Sequence, residues 1–160
     1  MTISGHIAVT GLTLAFVPEP SAIIAANLLI HPLLDMIPHA EWYSFPKREE
    51  WWKMGGVTSV DILTSIWLVD YFLRIFTTLS PFLIFGAILA GLWLDILHPF
   101  LDKFYRPLWR FHIYCHTIPT WFGDKAVDWS KTISGKTPVL IKLAFQIGLV
   151  LIAYLILNQK

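Results

Sequence analysis

Two short stretches of the chain repeat one arrangement of metal-type ligands: His31-Pro32-Leu33-Leu34-Asp35 recurs as His98-Pro99-Phe100-Leu101-Asp102. Residues four apart share one face of a helix, so each stretch presents an imidazole and a carboxylate side by side. Neutral imidazole and carboxylate at that spacing suit zinc or another divalent transition metal, because both reach one ion without straining the backbone. His39 extends the first pair by a further turn if the helix survives Pro38, and Asp95 precedes His98 by three positions. His112 and His116 make a third pair spaced by four. The expected ligands are therefore His31, Asp35, His39, His98, Asp102, His112 and His116, joined by His6 near the N-terminus. Asp61 or Asp95 is the candidate base for orienting a water. A blander alternative stands beside this one: histidine and aspartate at a helix end also mark where the helix leaves an apolar layer.

Other chemistry is absent. The sequence has no glycine-rich phosphate loop, no G-x-S-x-G elbow and no H-E-x-x-H pair. Cys115 beside His116 makes a poor nucleophile and base, since neighbours on a helix point about 100° apart.

The elements that must position these residues follow from composition. The chain has 160 residues, 56% of them hydrophobic, with a mean hydropathy of +0.61. That excess is far above what a soluble domain of this size tolerates on its surface. The reading is all-α: a polytopic membrane bundle of about five apolar helices, forming one domain over residues 1–160. A net charge of +1 with no long basic or acidic block argues against a nucleic-acid partner, and the single cysteine excludes an internal disulfide.

The apolar segments are Ile3–Val17, Ser21–Ile37, Val57–Leu79, Pro81–Leu101 and Pro138–Leu157. At 1.5 Å per residue the last three reach roughly 30 Å, the depth of a hydrocarbon core, whereas the first reaches roughly 22 Å. Met1–Ser4 carries no Lys or Arg and Val17-Pro18-Glu19-Pro20 is a poor cleavage site, so the first segment reads as retained. With the second it forms a hairpin that crosses or a pair that re-enters, the crossing form being preferred. The connections His39–Gly56 and Lys103–Thr137 hold most of the Lys, Arg and Trp. If five helices cross in alternation, both connections share one side. The positive-inside rule makes that side cytoplasmic, and the N-terminus with it, in a membrane of bacterial inner-membrane type. An amphipathic helix within Arg106–Phe122 would lie along that surface. All six histidines, with Asp35, Asp61, Asp95 and Asp102, then fall on the same side. Asp70 lies roughly 13 Å deeper on the third helix and is one turn from Arg74, an expected self-contained pair.

Leu28–Glu41 (LLIHPLLDMIPHAE), together with Gly5-His6, Gly91–Asp95 and His112–His116, resembles a group of small bacterial membrane proteins classed as metal-dependent hydrolases, the LexA-regulated YdjM-like group. That group is held to be distantly similar to zinc-dependent phospholipase C and related single-strand nucleases. The resemblance implies that His31, Asp35 and His39 are metal ligands and that His112 and His116 complete a site of one to three zinc ions. Where relatives carry L-P-D-x-D-H and H-R-G-x-T-H-S elements, this chain has Leu94-Asp95 with His98, and His112 with His116.

Together these readings lead to an expected metal-dependent hydrolase acting on a phosphoester of a lipid or lipid-linked substrate at the inner leaflet, with Arg106 and Arg110 as phosphate contacts. Two other classes use the same residues. A metal or proton transporter would need ligands running through the membrane, and only Asp70 and Arg74 lie deeper. A non-catalytic scaffold would hold haem or a metal between histidines.

Overall fold

The computed structural model describes residues 2–37, 51–117 and 139–159. Among them the chain is all-helical: α1 (Ile3–Phe16), α2 (Pro20–Asp35), α3 (Trp51–Ile75), α4 (Pro81–Gly91), α5 (Trp93–Phe104), α6 (Arg106–Thr117) and α7 (Val139–Leu157).

Proline sets several of the boundaries. α1 stops at Phe16 because Pro18 disfavours helical geometry in the residue before it, and α2 starts with Pro20 in its first turn, where no amide hydrogen is required. α4 likewise opens on Pro81, behind the Ser80 hydroxyl, which accepts from the Phe82 amide at 3.2 Å.

The apolar run expected as one helix over Pro81–Leu101 is two helices, broken at Leu92. There the Leu92 amide turns back to the Leu89 carbonyl and the backbone leaves helical geometry (φ −116°, ψ 5°). Beside the break α4 packs closely on α1: a Cβ on Gly91 would lie 2.6 Å from Thr10 Oγ1, so only glycine allows this approach. The continuous pattern of apolar residues concealed the break, because it carries no sign of where the backbone leaves helical geometry.

α1 is the central element and packs against α2, α3, α4 and α7. Its small residues allow that: Gly5, Ala8 and Gly11 are buried, and Gly11 faces Phe72 and Leu157. An apolar cluster surrounds it, including Ile7, Leu14, Ile23, Leu68, Phe72, Ile84 and Ala153.

Polar side chains are buried with it. Thr10 Oγ1 donates to Asn27 Oδ1 at 2.9 Å, and Asn27 Nδ2 donates to Thr13 Oγ1 at 2.7 Å. These bonds fix the register of the antiparallel α1–α2 hairpin. Large apolar residues instead point outward, among them Leu29 (72% exposed), Phe82 (89%) and Leu63 (67%). Among the described residues one helix stretch, Gly55–Ile75, is long and apolar enough to cross a membrane.

Asp61 closes the N-terminus of α1 from α3. Its carboxylate accepts from the Ile3 and Ser4 amides, each at 3.0 Å, and from the Ser4 hydroxyl. Amides of a first helical turn lack intrahelical partners, and a carboxylate there also meets the positive end of the helix dipole. Asp61→Ala is expected to destabilise the fold by roughly 1–2 kcal/mol, read as a lower melting temperature in detergent, with metal content unchanged. Loss of metal at unchanged melting temperature would show that the carboxylate serves the centre instead.

Candidate metal centre

Four helices bring their ligands to one end of the bundle. α1 supplies His6, α2 supplies His31 and Asp35, α5 supplies Asp95, and α6 lays His112 across them. His6, His31 and Asp35 are buried, and Asp95 keeps about a third of its side chain open (32%). Ligand atoms of His6, His31, Asp35 and Asp95 all lie within 4.8 Å of one another.

The separations have the scale of a coordination shell. His6 Nε2 is 3.2 Å from Asp35 Oδ1 and 3.7 Å from Asp95 Oδ2. His31 Nε2 is 3.0 Å from Asp35 Oδ2 and 4.0 Å from Asp95 Oδ1. His112 Nε2 is 3.3 Å from Asp35 Oδ2 and 3.4 Å from Asp95 Oδ1. Tetrahedral ligands at zinc bond lengths of 2.0–2.1 Å stand about 3.3 Å apart, in the middle of this range.

His31 makes the chemical case. Its Nδ1 is 2.6 Å from the Gly91 carbonyl, which can only accept, so Nδ1 carries the hydrogen. In the neutral ring Nε2 then holds a lone pair aimed at carboxylate oxygens, which are acceptors as well. Fully buried, this Nε2 has no hydrogen-bond partner among the described residues, and neither does His6 Nδ1. A buried acceptor facing acceptors calls for a cation between them, either a proton or a metal. The bond to the Gly91 carbonyl is the outer contact that normally fixes tautomer and ring direction in a metal-ligating histidine.

Pro32 contributes through its missing amide. It frees the carbonyl of Leu28, four residues earlier, and the Trp93 indole N–H donates to that oxygen at 3.1 Å. Thus α2 is clipped twice to the α4–α5 break, by His31 to Gly91 and by Leu28 to Trp93, and Asp95 follows two residues later. The His6 and His31 rings stack with centroids 4.3 Å apart, which leaves no slot for a porphyrin between that pair.

Of the expected ligands, His6, His31 and Asp35 meet in this group. His112 reaches both of its carboxylates. His98 stands one contact further out, its Nδ1 3.0 Å from His112 Nδ1. Asp95, read as a candidate base, belongs to the ligand group, whereas the other candidate base, Asp61, caps α1. His39 lies outside the described residues, as do the side chains of Asp102 and His116. Arg106 and Arg110 are exposed, and helical spacing turns them about 120° and 160° away from His112. Asp70 and Arg74 form their expected pair, with Arg74 Nε donating to Asp70 Oδ2 at 2.8 Å.

The parts of the site that spacing did not reveal are backbone and indole contacts. Gly91 and Trp93 are ordinary apolar-helix residues in the sequence; the nearest signal was Pro32 inside an otherwise helical stretch. No protein-family model, curated protein or solved structure matches the chain.

Proposed function

We propose that this chain is an integral membrane hydrolase that binds a divalent transition metal, zinc by ligand type, and cleaves a phosphoester of a lipid or lipid-linked substrate. The observation that carries the metal is the buried His31 Nε2, which faces two carboxylates while Nδ1 is held on the Gly91 carbonyl. The inverted distribution of side chains supports the membrane: Ser4, Thr10, Asn27, His31 and Asp35 are inside while Leu29, Leu63 and Phe82 face out. A soluble protein rarely leaves so much large apolar surface open, and lipid accepts it. Gly55–Ile75 in α3 is long and apolar enough to span, and the reading takes the shorter apolar helices α1, α2, α4 and α7 as the rest of a polytopic bundle. The resemblance to the YdjM-like hydrolases agrees in both respects.

His6, His31, Asp35 and Asp95 would hold the cation. Such an ion supplies Lewis acidity, lowering the pKa of a water toward neutrality and offsetting charge on phosphoryl oxygens. The protein's own part is orientation and proton handling. Gly91 fixes the imidazole of His31, and the buried Asp35 joins α2 to α1 and α6. Asp95, one-third open, is where an entering water meets a carboxylate able to take its proton. The oxygen of that water bonds phosphorus as the ester P–O bond breaks, and the alcohol leaves with a proton. Proximity to the inner-leaflet headgroups selects a lipid phosphate.

The test is metal analysis of the full chain purified in detergent, with phosphate release measured from phosphatidic acid and phospholipid vesicles. At least one ion per chain, with activity lost on chelation and restored by zinc, is expected. Fewer than one ion per chain after gentle handling, with no change on His31→Ala, overturns the reading.

A further inference from the structure

Of the five Lys and Arg side chains described, Lys142 is buried and Arg74 pairs with Asp70. The other three, Lys103, Arg106 and Arg110, fall within eight positions around the join of α5 and α6, and all are exposed. Between the first two of them stand Phe104 and Tyr105, 79% and 58% exposed. Tyr105 leaves helical geometry (φ −149°, ψ 72°), and Pro107 sits in the first turn of α6, where no amide hydrogen is required. His98 and His112, each seven residues from Tyr105, meet at 3.0 Å, so the two helices fold back as a hairpin with Tyr105 at its tip.

Each helix of the hairpin has an inner and an outer side. α5 buries Leu94 and Leu101 and brings Asp95 to the centre, whereas Ile96, Phe100 and Phe104, spaced by four along one face, are exposed. α6 buries His112 and Cys115, whereas Arg106, Arg110 and Phe111 are exposed. Aromatic and aliphatic groups interleaved with cations suit the boundary between headgroups and acyl chains, where both kinds of partner occur.

We infer that the outer side of this hairpin is a docking surface for the anionic phospholipid headgroups of the surrounding leaflet. Lys103, Arg106 and Arg110 are its phosphate contacts, and Phe104 and Tyr105 anchor the tip among the lipids. The inference rests on the membrane part of the reading above and needs no metal. These phosphates are distinct from the scissile one, because Arg106 and Arg110 are turned away from His112 and hence from the carboxylates it meets.

The apolar groups decide between a leaflet and a soluble polyanion. A nucleic acid or an acidic peptide would satisfy the three cations and leave Ile96, Phe100 and Phe104 in water, whereas acyl chains cover them. Each guanidinium offers a lipid phosphate two parallel hydrogen bonds, and Lys103 adds a point charge. The same two helices carry Asp95 and His112 inward. Seating their outer side on headgroups therefore sets the height of the centre in the leaflet.

The test uses the full chain reconstituted in phosphatidylcholine vesicles that carry spin-labelled phosphatidylglycerol or spin-labelled phosphatidylcholine. Electron paramagnetic resonance reads how much of each label the protein immobilises. One basic residue near an anionic surface favours it by about fivefold, so phosphatidylglycerol should be preferred by at least that factor at low salt. The preference should decline in concentrated salt, because exposed charges are screened. Replacing Lys103, Arg106 and Arg110 together by Gln should lower it by at least about threefold at an unchanged melting temperature. The salt dependence is read on the wild type, so the test survives misfolding of the variant. Equal immobilisation of the two lipids by the wild type, a preference indifferent to salt, or one kept in the folded variant overturns the docking surface while the membrane reading stands. Displacement of the lipid by inorganic phosphate at constant ionic strength overturns it too, since the cations would then serve a free anion. A chain that an alkaline wash strips from the vesicles overturns both.

Discussion

Asp35→Asn is expected to lower divalent-metal affinity more than about 100-fold and to abolish metal-dependent turnover with it. Loss of outer-shell partners alone typically costs 10–100-fold, and Asp35 would belong to the inner shell of an ion held here. Its two oxygens stand within 3.3 Å of three imidazoles, from α1, α2 and α6. A carboxamide keeps the shape but removes the negative charge and replaces one oxygen with a donor. That donor suits the metal-free fold, because His31 Nε2 is a buried acceptor that it can satisfy. The variant should thus remain folded and lose the added melting temperature that metal confers on the wild type. Competition against a chelating dye, paired with a thermal melt with and without zinc, reads both. Affinity within tenfold of wild type would mean that the carboxylate pairs protonated histidines and no metal is involved.

Parts of the centre were legible in the sequence because helical periodicity is a local property. His31 and Asp35 share a face by spacing alone, and they do meet, at 3.0 Å. Of the histidines at helix ends, His6 and His31 come together with Asp35 and Asp95, and His98 meets His112. From the second helix run the carboxylate that joins the centre is Asp95, one turn before His98. It follows the break at Leu92, after which the helix starts again at Trp93. Beside that break Gly91 packs against Thr10, a contact between residues far apart in sequence. The five apolar segments identified the helices but not this break, and they gave no hint that Asp61 would be used to cap α1.

The second large effect expected is on pH dependence, and it has opposite signs with and without metal. In the metal-free protein burial works against the charged form of His112, yet hydrogen bonds from its ring to Asp35 and Asp95 outweigh that and lift the pKa to about 9. A group raised in the folded state stabilises it fully below its ordinary value of 6.5 and loses that contribution as pH rises through about 9. The metal-free melting temperature should therefore fall between pH 6.5 and 9. Metal binding would run the other way, since a cation held by Asp35 and Asp95 competes with the proton on the His112 imidazole beside them. Displacing one proton makes apparent affinity rise about tenfold per pH unit across this window and level off above it. At fixed free zinc the stabilisation conferred by metal grows accordingly. The gap between the two melting temperatures should widen steadily from pH 6.5 to 9, and in His112→Asn both slopes should flatten. Cys115, one turn away, does not confuse the readout, because burial first of all pushes its thiol up to about 11. A gap that stays constant across the window would remove His112 from the centre and return it to a purely structural contact between α6 and the carboxylates.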